Sequence, residues 1–167
     1  MDAGEAAVPL ASLVVGECAS RRCLARPYPH EMTIPSLRRQ AELLATTPNA
    51  IVATIQPDGL PQLTPNWFLW TGESFWISTA ERAVKTRNLR RDRRIVLCID
   101  DVDSGDYVQV TGIASLREGD DAREPTLELC RKYMPAAQVL PHWESLVADG
   151  PRVIIDVHPE RFQWHDR

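Results

Sequence analysis

The sequence has no run of about eighteen apolar residues, so it offers no membrane-spanning helix. Positive charge is not in excess: 19 Lys and Arg against 23 Asp and Glu leave a net charge of −4, which argues against a general nucleic-acid binder. Cysteine is sparse and badly spaced for a metal. Cys18, Cys23, Cys98 and Cys130 contain no C-x-x-C pair, the four histidines (His30, His142, His158, His165) are scattered, and HExxH is absent, so no zinc motif can be assembled. GxSxG, a Walker loop and GxGxxG are also missing, which removes the motif-based hydrolase, phosphotransferase and dinucleotide-binding classes. The acidic pairs Asp100-Asp101 and Asp120-Asp121 fall in loop-like segments and do not support carboxylate catalysis. No catalytic residue stands out, and if the chain is an enzyme, a bound cofactor is left to carry the chemistry. The short apolar stretch PLASLVVG has no basic region before it, so no secretory signal is read and a cytoplasmic location is expected.

What is present describes one domain. The chain has 167 residues, 44% of them apolar, enough for a real core. Residues 1–31 are rich in Ala, Arg and Pro without periodicity and are expected to form a disordered or loosely attached extension, with Met32 as the functional start and residues 32–167 as the folded unit. Thr33 and Pro35 then open a helix whose stripe is Leu37, Ala41 and Leu44. AIVATI (50–55), a Pro57-Asp58-Gly59 turn and a long segment from Leu60 to Trp70 predict antiparallel strands; Pro61 and Pro65 place the second at an edge or bulge. SFWIST continues this as a three-strand meander. RIVLCID reads as a strand buried on both faces, and YVQVTGIASL as a long strand with a bulge or bend at Gly112. Residues 121–134 and 141–149 predict helices, with Cys98 and Cys130 as buried thiols. RVIIDV is the last full strand, with ERFQWH as an edge extension. About six mostly antiparallel strands and three or four short helices make an α+β, mainly β chain, best closed as a small barrel with helices at its mouth.

One stretch concentrates the charge. Arg82 to Arg94 holds seven of the 19 Lys and Arg residues, on a short helix that follows the SFWIST strand. Strand, helix start and cations converge as an anion site would require, with backbone N–H groups, helix dipole and side chains all directed at one phosphate. The bland alternative is a solvated basic helix face. A nucleic-acid contact through the same helix is opposed by the acidic net charge.

Ser78-Thr79 followed by Lys85-Thr86-Arg87-Asn88-Leu89 resembles the phosphate-binding segment of the pyridoxamine 5′-phosphate oxidase-like, FMN-binding split-barrel family, and more closely its branch using the deazaflavin coenzyme F420. Leu63-Thr64-Pro65-Asn66-Trp67-Phe68 is similar to the strand that borders the cofactor ring in that branch, with Asn66 where Val is common. The resemblance runs from about Met32 to the C-terminus and implies a split β-barrel fold. It places Lys85 on the cofactor phosphate, with Arg82 one turn away on the same face. Arg87 and Asn88 support the phosphate or touch the cofactor side chain. Ser78 and Thr79 contact the ring or the sugar-alcohol chain, and Thr64, Asn66 and Trp67 border the ring. Arg90, Arg91, Arg93 and Arg94 would meet the acidic tail. Val84-Lys85 departs from the Arg-Lys usual in the FMN oxidases, which favours F420 over FMN. The implied reaction is hydride transfer between the reduced deazaflavin and an unsaturated organic acceptor, in a homodimer with cofactor and small-molecule substrate in the groove between subunits. Trp67, Trp76 or Trp164 would line the pocket. An FMN-dependent oxidase or reductase and a non-enzymatic cofactor- or tetrapyrrole-binding barrel are the alternatives.

Overall fold

The computed structural model describes residues 34–46 and 48–165. The extension 1–31, the start at Met32 and the Thr33 cap lie outside the described residues. Seven strands form one sheet: β1 (Ala50–Ile55), β2 (Pro61–Asn66), β3 (Leu69–Trp70), β4 (Phe75–Ala80), β5 (Arg94–Asp100), β6 (Tyr107–Arg117) and β7 (Arg152–His165). Four α-helices accompany them: α1 (Ile34–Ala45), α2 (Val84–Arg91), α3 (Arg123–Tyr133) and α4 (Ala136–Ala148). Every strand pair is antiparallel, and the spatial order is β2-β1-β5-β6-β7-β4-β3. This is a split barrel. Its two edge strands are consecutive in the chain, so Trp67 and Phe68 alone carry the backbone across the open seam.

Several sequence expectations change here. Leu60–Trp70 is two strands rather than one, because β2 pairs only with β1 and β3 only with β4. The expected three-strand meander is therefore broken, and β4 pairs instead with β7. RVIIDV and ERFQWH are one strand of 14 residues in the sheet interior, not a strand with an edge tail. The count is accordingly seven strands, not six. RIVLCID is buried on one face only: Ile95, Leu97 and Ile99 are in the core, whereas Val96 and Cys98 are half-buried, as an antiparallel sheet allows. The last helix starts at Ala136 and contains Pro141, which removes only the hydrogen bond back to residue 137.

The bend expected at Gly112 is a bulge on the partner strand. Thr111 lies opposite Arg161 and Gly112 opposite Pro159, so Glu160 is the extra residue. One extra residue inverts the side-chain alternation. Before the bulge Ile155 and Val157 point into the core; after it Phe162 and Trp164 do. The strand thereby keeps an apolar inner face over its whole length.

At the seam the ladder is interrupted, and α3 satisfies the backbone instead. The Tyr133 hydroxyl lies 3.1 Å from the carbonyl oxygens of both Pro48 and Phe68, which share its one proton, and accepts from Phe68 N–H (3.1 Å). Lys132 Nζ donates to Leu44 O (3.0 Å) and Phe68 O (3.2 Å) and sits 3.7 Å from the Phe68 ring centroid. Burial lowers the Lys132 pKa from 10.5 to about 8. The unfolded chain then holds this proton more tightly than the folded one, so stability due to Lys132 rises as pH goes from about 8 to 10.5. A neutral amine keeps two N–H groups, which matches the two carbonyls. Melting curves across that window are expected to show a positive slope in the wild type that Lys132→Met flattens; equal slopes would exclude Lys132 as its source.

Candidate functional site

β4 leaves the sheet at Ala80 and turns at once into α2. Ala83 N–H and the Thr86 hydroxyl both donate to Ala80 O (3.0 and 3.1 Å), and Glu81 N–H donates to Pro151 O (2.9 Å), which fastens this exit to the start of β7. Lys85, Asn88 and Leu89 share one helix face by spacing, and all three are buried. Leu89 anchors that face in the core. Asn88 Nδ2 donates to Thr54 Oγ1 (3.0 Å), which donates to Gln62 Oε1 (3.2 Å). Gln62, Thr64 and Asn66 alternate onto one face of β2, where Thr64 Oγ1 donates to Asn66 Oδ1 (3.0 Å). Asn88 therefore docks α2 at one end of the polar stripe on β2. Through Thr54 and Gln62 the helix reaches the residue next to the Leu63–Phe68 segment.

Lys85 is only 8% exposed, yet its ammonium has no hydrogen bond or ion pair among the described residues. Burial, and next the positive charge of Arg152, hold its pKa below the ordinary lysine value. Arg152 stands opposite Ala80 in the β4–β7 register and donates from Nη2 to Ser78 Oγ (3.2 Å). Ser78 lies 3.0 Å from Thr126 Oγ1, whose own proton goes to Ala122 O (2.7 Å). Proton counting sets the direction: Ser78 must donate to Thr126 and accept from Arg152. Ser78 thus holds Arg152. Thr79 points the other way, buried on the barrel face with Phe75 and Ile77.

The remaining cations are arranged differently. Arg82 is exposed, and its Nη2 reaches both carboxylate oxygens of Asp149 at 2.7 Å, so its charge already has a partner. Arg87 is exposed and donates to Arg82 O (2.9 Å). Arg90 bridges Glu81 and Glu118 (2.9 and 2.8 Å), Arg94 pairs with Asp92 (2.6 Å), and Arg91 donates to Ile55 O. Of the four arginines expected to meet an acidic tail, Arg93 alone has no side-chain partner among the described residues. The three tryptophans do not converge. Trp67 stacks on Tyr133 (4.6 Å, 7°), Trp76 lies under Arg117, and Trp164 stacks on Phe162. Among the described residues no group of three or more His, Cys, Asp or Glu could hold a metal ion, and no helix is long and apolar enough to cross a membrane.

The model of the pyridoxamine 5′-phosphate oxidase family matches residues 37–166. The chain belongs to this family. Its members are largely oxidoreductases that bind flavin-type cofactors. A solved F420 reductase is 27% identical, with a TM-score of 0.55 over 73% of this chain and 94% of that one. A conserved hypothetical protein from Mycobacterium tuberculosis (24% identity, TM-score 0.67, 81% of this chain and 86% of that one) shares the fold. So does a putative pyridoxamine 5′-phosphate oxidase from Listeria innocua (19%, 0.57, 78% and 98%). Within this family fold, Arg152 and Thr126 are what sequence reasoning missed. Arg152 is a lone cation before an apolar strand and Thr126 a lone hydroxyl in a helix; neither belongs to a local motif, and only the β4–β7 pairing and the packing of α3 bring them to Ser78.

Proposed function

We propose that this chain is an F420-dependent oxidoreductase that works as a homodimer with the coenzyme in a groove between subunits. The carrying observation is the unpartnered ammonium of Lys85, carried at the head of α2 by a residue only 8% exposed, beside the second unneutralised cation, Arg152. A charge left without a partner in such a place is costly unless an anion joins it. The F420 reductase at 27% identity supports the choice of coenzyme. When bound, the deazaflavin supplies the hydride chemistry, exchanged with an unsaturated organic acceptor.

The chain's own residues supply position and electrostatics. Lys85 holds the phosphate. Asn88 keeps α2 against β1, while Thr64 and Asn66 present hydrogen-bonding groups to the ring edge. Trp67, 37% exposed and backed by Tyr133, gives a flat wall on which an acceptor can stack. Ser78 acts through Arg152, and Thr79 supports the barrel wall behind it. Arg82 and Arg87 tie the α2 entrance to Asp149 and its own backbone.

One observation keeps FMN as a second reading: two cations rather than one suit a dianionic phosphate monoester. Quenching of the five tryptophans during titration with each cofactor separates the two. Tight F420 binding, followed by oxidation of the reduced coenzyme with an unsaturated acceptor, is the expected result. FMN binding alone moves the reading to a flavin enzyme, tight binding without turnover to a cofactor carrier, and binding of neither ends it.

A further inference from the structure

We infer that Arg152 is the second arm of the anion site, gripping the same phosphate group as Lys85 from the β7 side. The inference deepens the reading above and rests on it for the identity of the ligand, but the two-cation site has a test of its own.

Five arginines have carboxylate partners: Arg82 with Asp149, Arg90 with Glu81 and Glu118, Arg94 with Asp92, Arg117 with Asp156 and Arg131 with Glu124. Arg87, Arg91 and Arg93 have no carboxylate among the described residues, but they are exposed and water solvates them. Burial raises the need for a counter-charge, yet Lys85 and Arg152 have none among the described residues. Arg152 makes a single side-chain hydrogen bond, to an uncharged hydroxyl, and its buried Nε–H has no acceptor. Asp149 is near enough for its charge to act on Arg152, but both its oxygens are taken by Arg82. The thiol of Cys130 also faces Arg152, and burial keeps its pKa above the ordinary value, so it is no anion at neutral pH. The charge of Arg152 disfavours that of Lys85 and lowers its pKa. A phosphate oxygen set between them removes that repulsion and accepts the idle Nε–H.

The guanidinium is also held ready. Arg152 donates to Ser78, Ser78 to Thr126, and Thr126 to Ala122 O, so three successive hydrogen bonds fix one edge of the fork. Glu81 N–H on Pro151 O locks the backbone next to it. Such an arm needs little ordering when the ligand arrives. The chemical class it recognises is a phosphate monoester or diester; free phosphate and the phosphate of a coenzyme share that chemistry.

Two measurements on the full chain separate these sources. In thermal melts at constant ionic strength, inorganic phosphate is expected to raise the Tm of the wild type in a saturable way. Chloride should not, and Arg152→Met and Lys85→Met should each lose the effect. In titrations, Arg152→Met should bind F420 roughly 10- to 100-fold more weakly, as for a lost charged hydrogen bond. It should bind the phosphate-free deazaflavin chromophore as the wild type does, and Arg152→Lys should recover part of the loss. Equal weakening of both ligands means a structural role and overturns the proposal, as does wild-type F420 affinity in Arg152→Met. If Arg152→Met does not fold, Arg152→Lys and the wild-type phosphate melts decide, and absence of phosphate protection in the wild type overturns the site. Loss of F420 binding in Lys85→Met but not in Arg152→Met leaves the functional reading standing without this arm. Phosphate protection that needs both residues, in a protein that binds neither F420 nor FMN, leaves the site standing without that function.

Discussion

Gly112→Ala is expected to destabilise the protein by roughly 3 kcal/mol or more, the upper range for forced overpacking. A Cβ on Gly112 would stand 2.3 Å from His158 O, 3.1 Å from His158 C and 3.2 Å from Pro159 Cα. All three atoms are backbone, so no side-chain rotation relieves the clash. The residues they belong to open the β7 bulge, which sets the parity of Phe162 and Trp164 against the core. Moving β7 away would weaken the β6–β7 ladder and that apolar face together. Gly59 makes the control. Nothing lies within 4 Å of its Cβ position, and only its φ of +87° resists a side chain, at about 1–2 kcal/mol. Urea unfolding of the two alanine variants measures the contrast. A Gly112→Ala protein no less stable than Gly59→Ala would mean that β7 does not approach β6 this closely in solution.

The same strand shows why parts of the fold were legible and others not. Alternation placed β4, because one buried face leaves a period of two in the sequence, as in Phe75, Ile77 and Thr79. The near-continuous apolar run of β5 marked it as a strand but hid which face is buried. Gly112 was legible as a bend because glycine inside a strand is costly without a structural reason. The break at Trp67–Phe68 was not legible: LPQLTPNWFLW keeps β-forming residues throughout, and what divides it is a change of partner strand, together with the side-chain donors and acceptor that α3 supplies from more than 60 residues away. The site divides likewise. Lys85, Asn88 and the Thr64–Asn66 stripe lie in short local patterns that a family resemblance can register. Arg82 and Lys85 looked like one-turn neighbours, but α2 begins only at Val84, so Arg82 lies outside the helix and turns to Asp149. Arg152 needed the β4–β7 register, which no local pattern encodes.

Lys85→Met should divide function from stability. Loss of the charge is expected to weaken F420 binding by about 1–3 kcal/mol, roughly 5- to 150-fold, the range for a charge-assisted hydrogen bond to a phosphate. The cofactor-free protein should respond in the opposite direction. With its pKa below 10.5 in the fold, Lys85 binds its proton less tightly than in the unfolded chain, so the charged form costs stability at neutral pH and the cost fades as pH rises toward 10.5. Methionine keeps an unbranched apolar stem at this buried position and removes the unpaired charge, so the variant's Tm should equal or exceed the wild type's. Bound phosphate reverses the preference of the ammonium and raises its pKa. F420 affinity in the wild type should therefore fall with rising pH once the free protein's Lys85 begins to lose its proton, and Lys85→Met should lack this component. A purely structural lysine would give another pattern: lower Tm in the variant, with F420 affinity and its pH dependence unchanged. That outcome would remove the cationic head of α2 from the site, and with it the reason to place a phosphorylated coenzyme there.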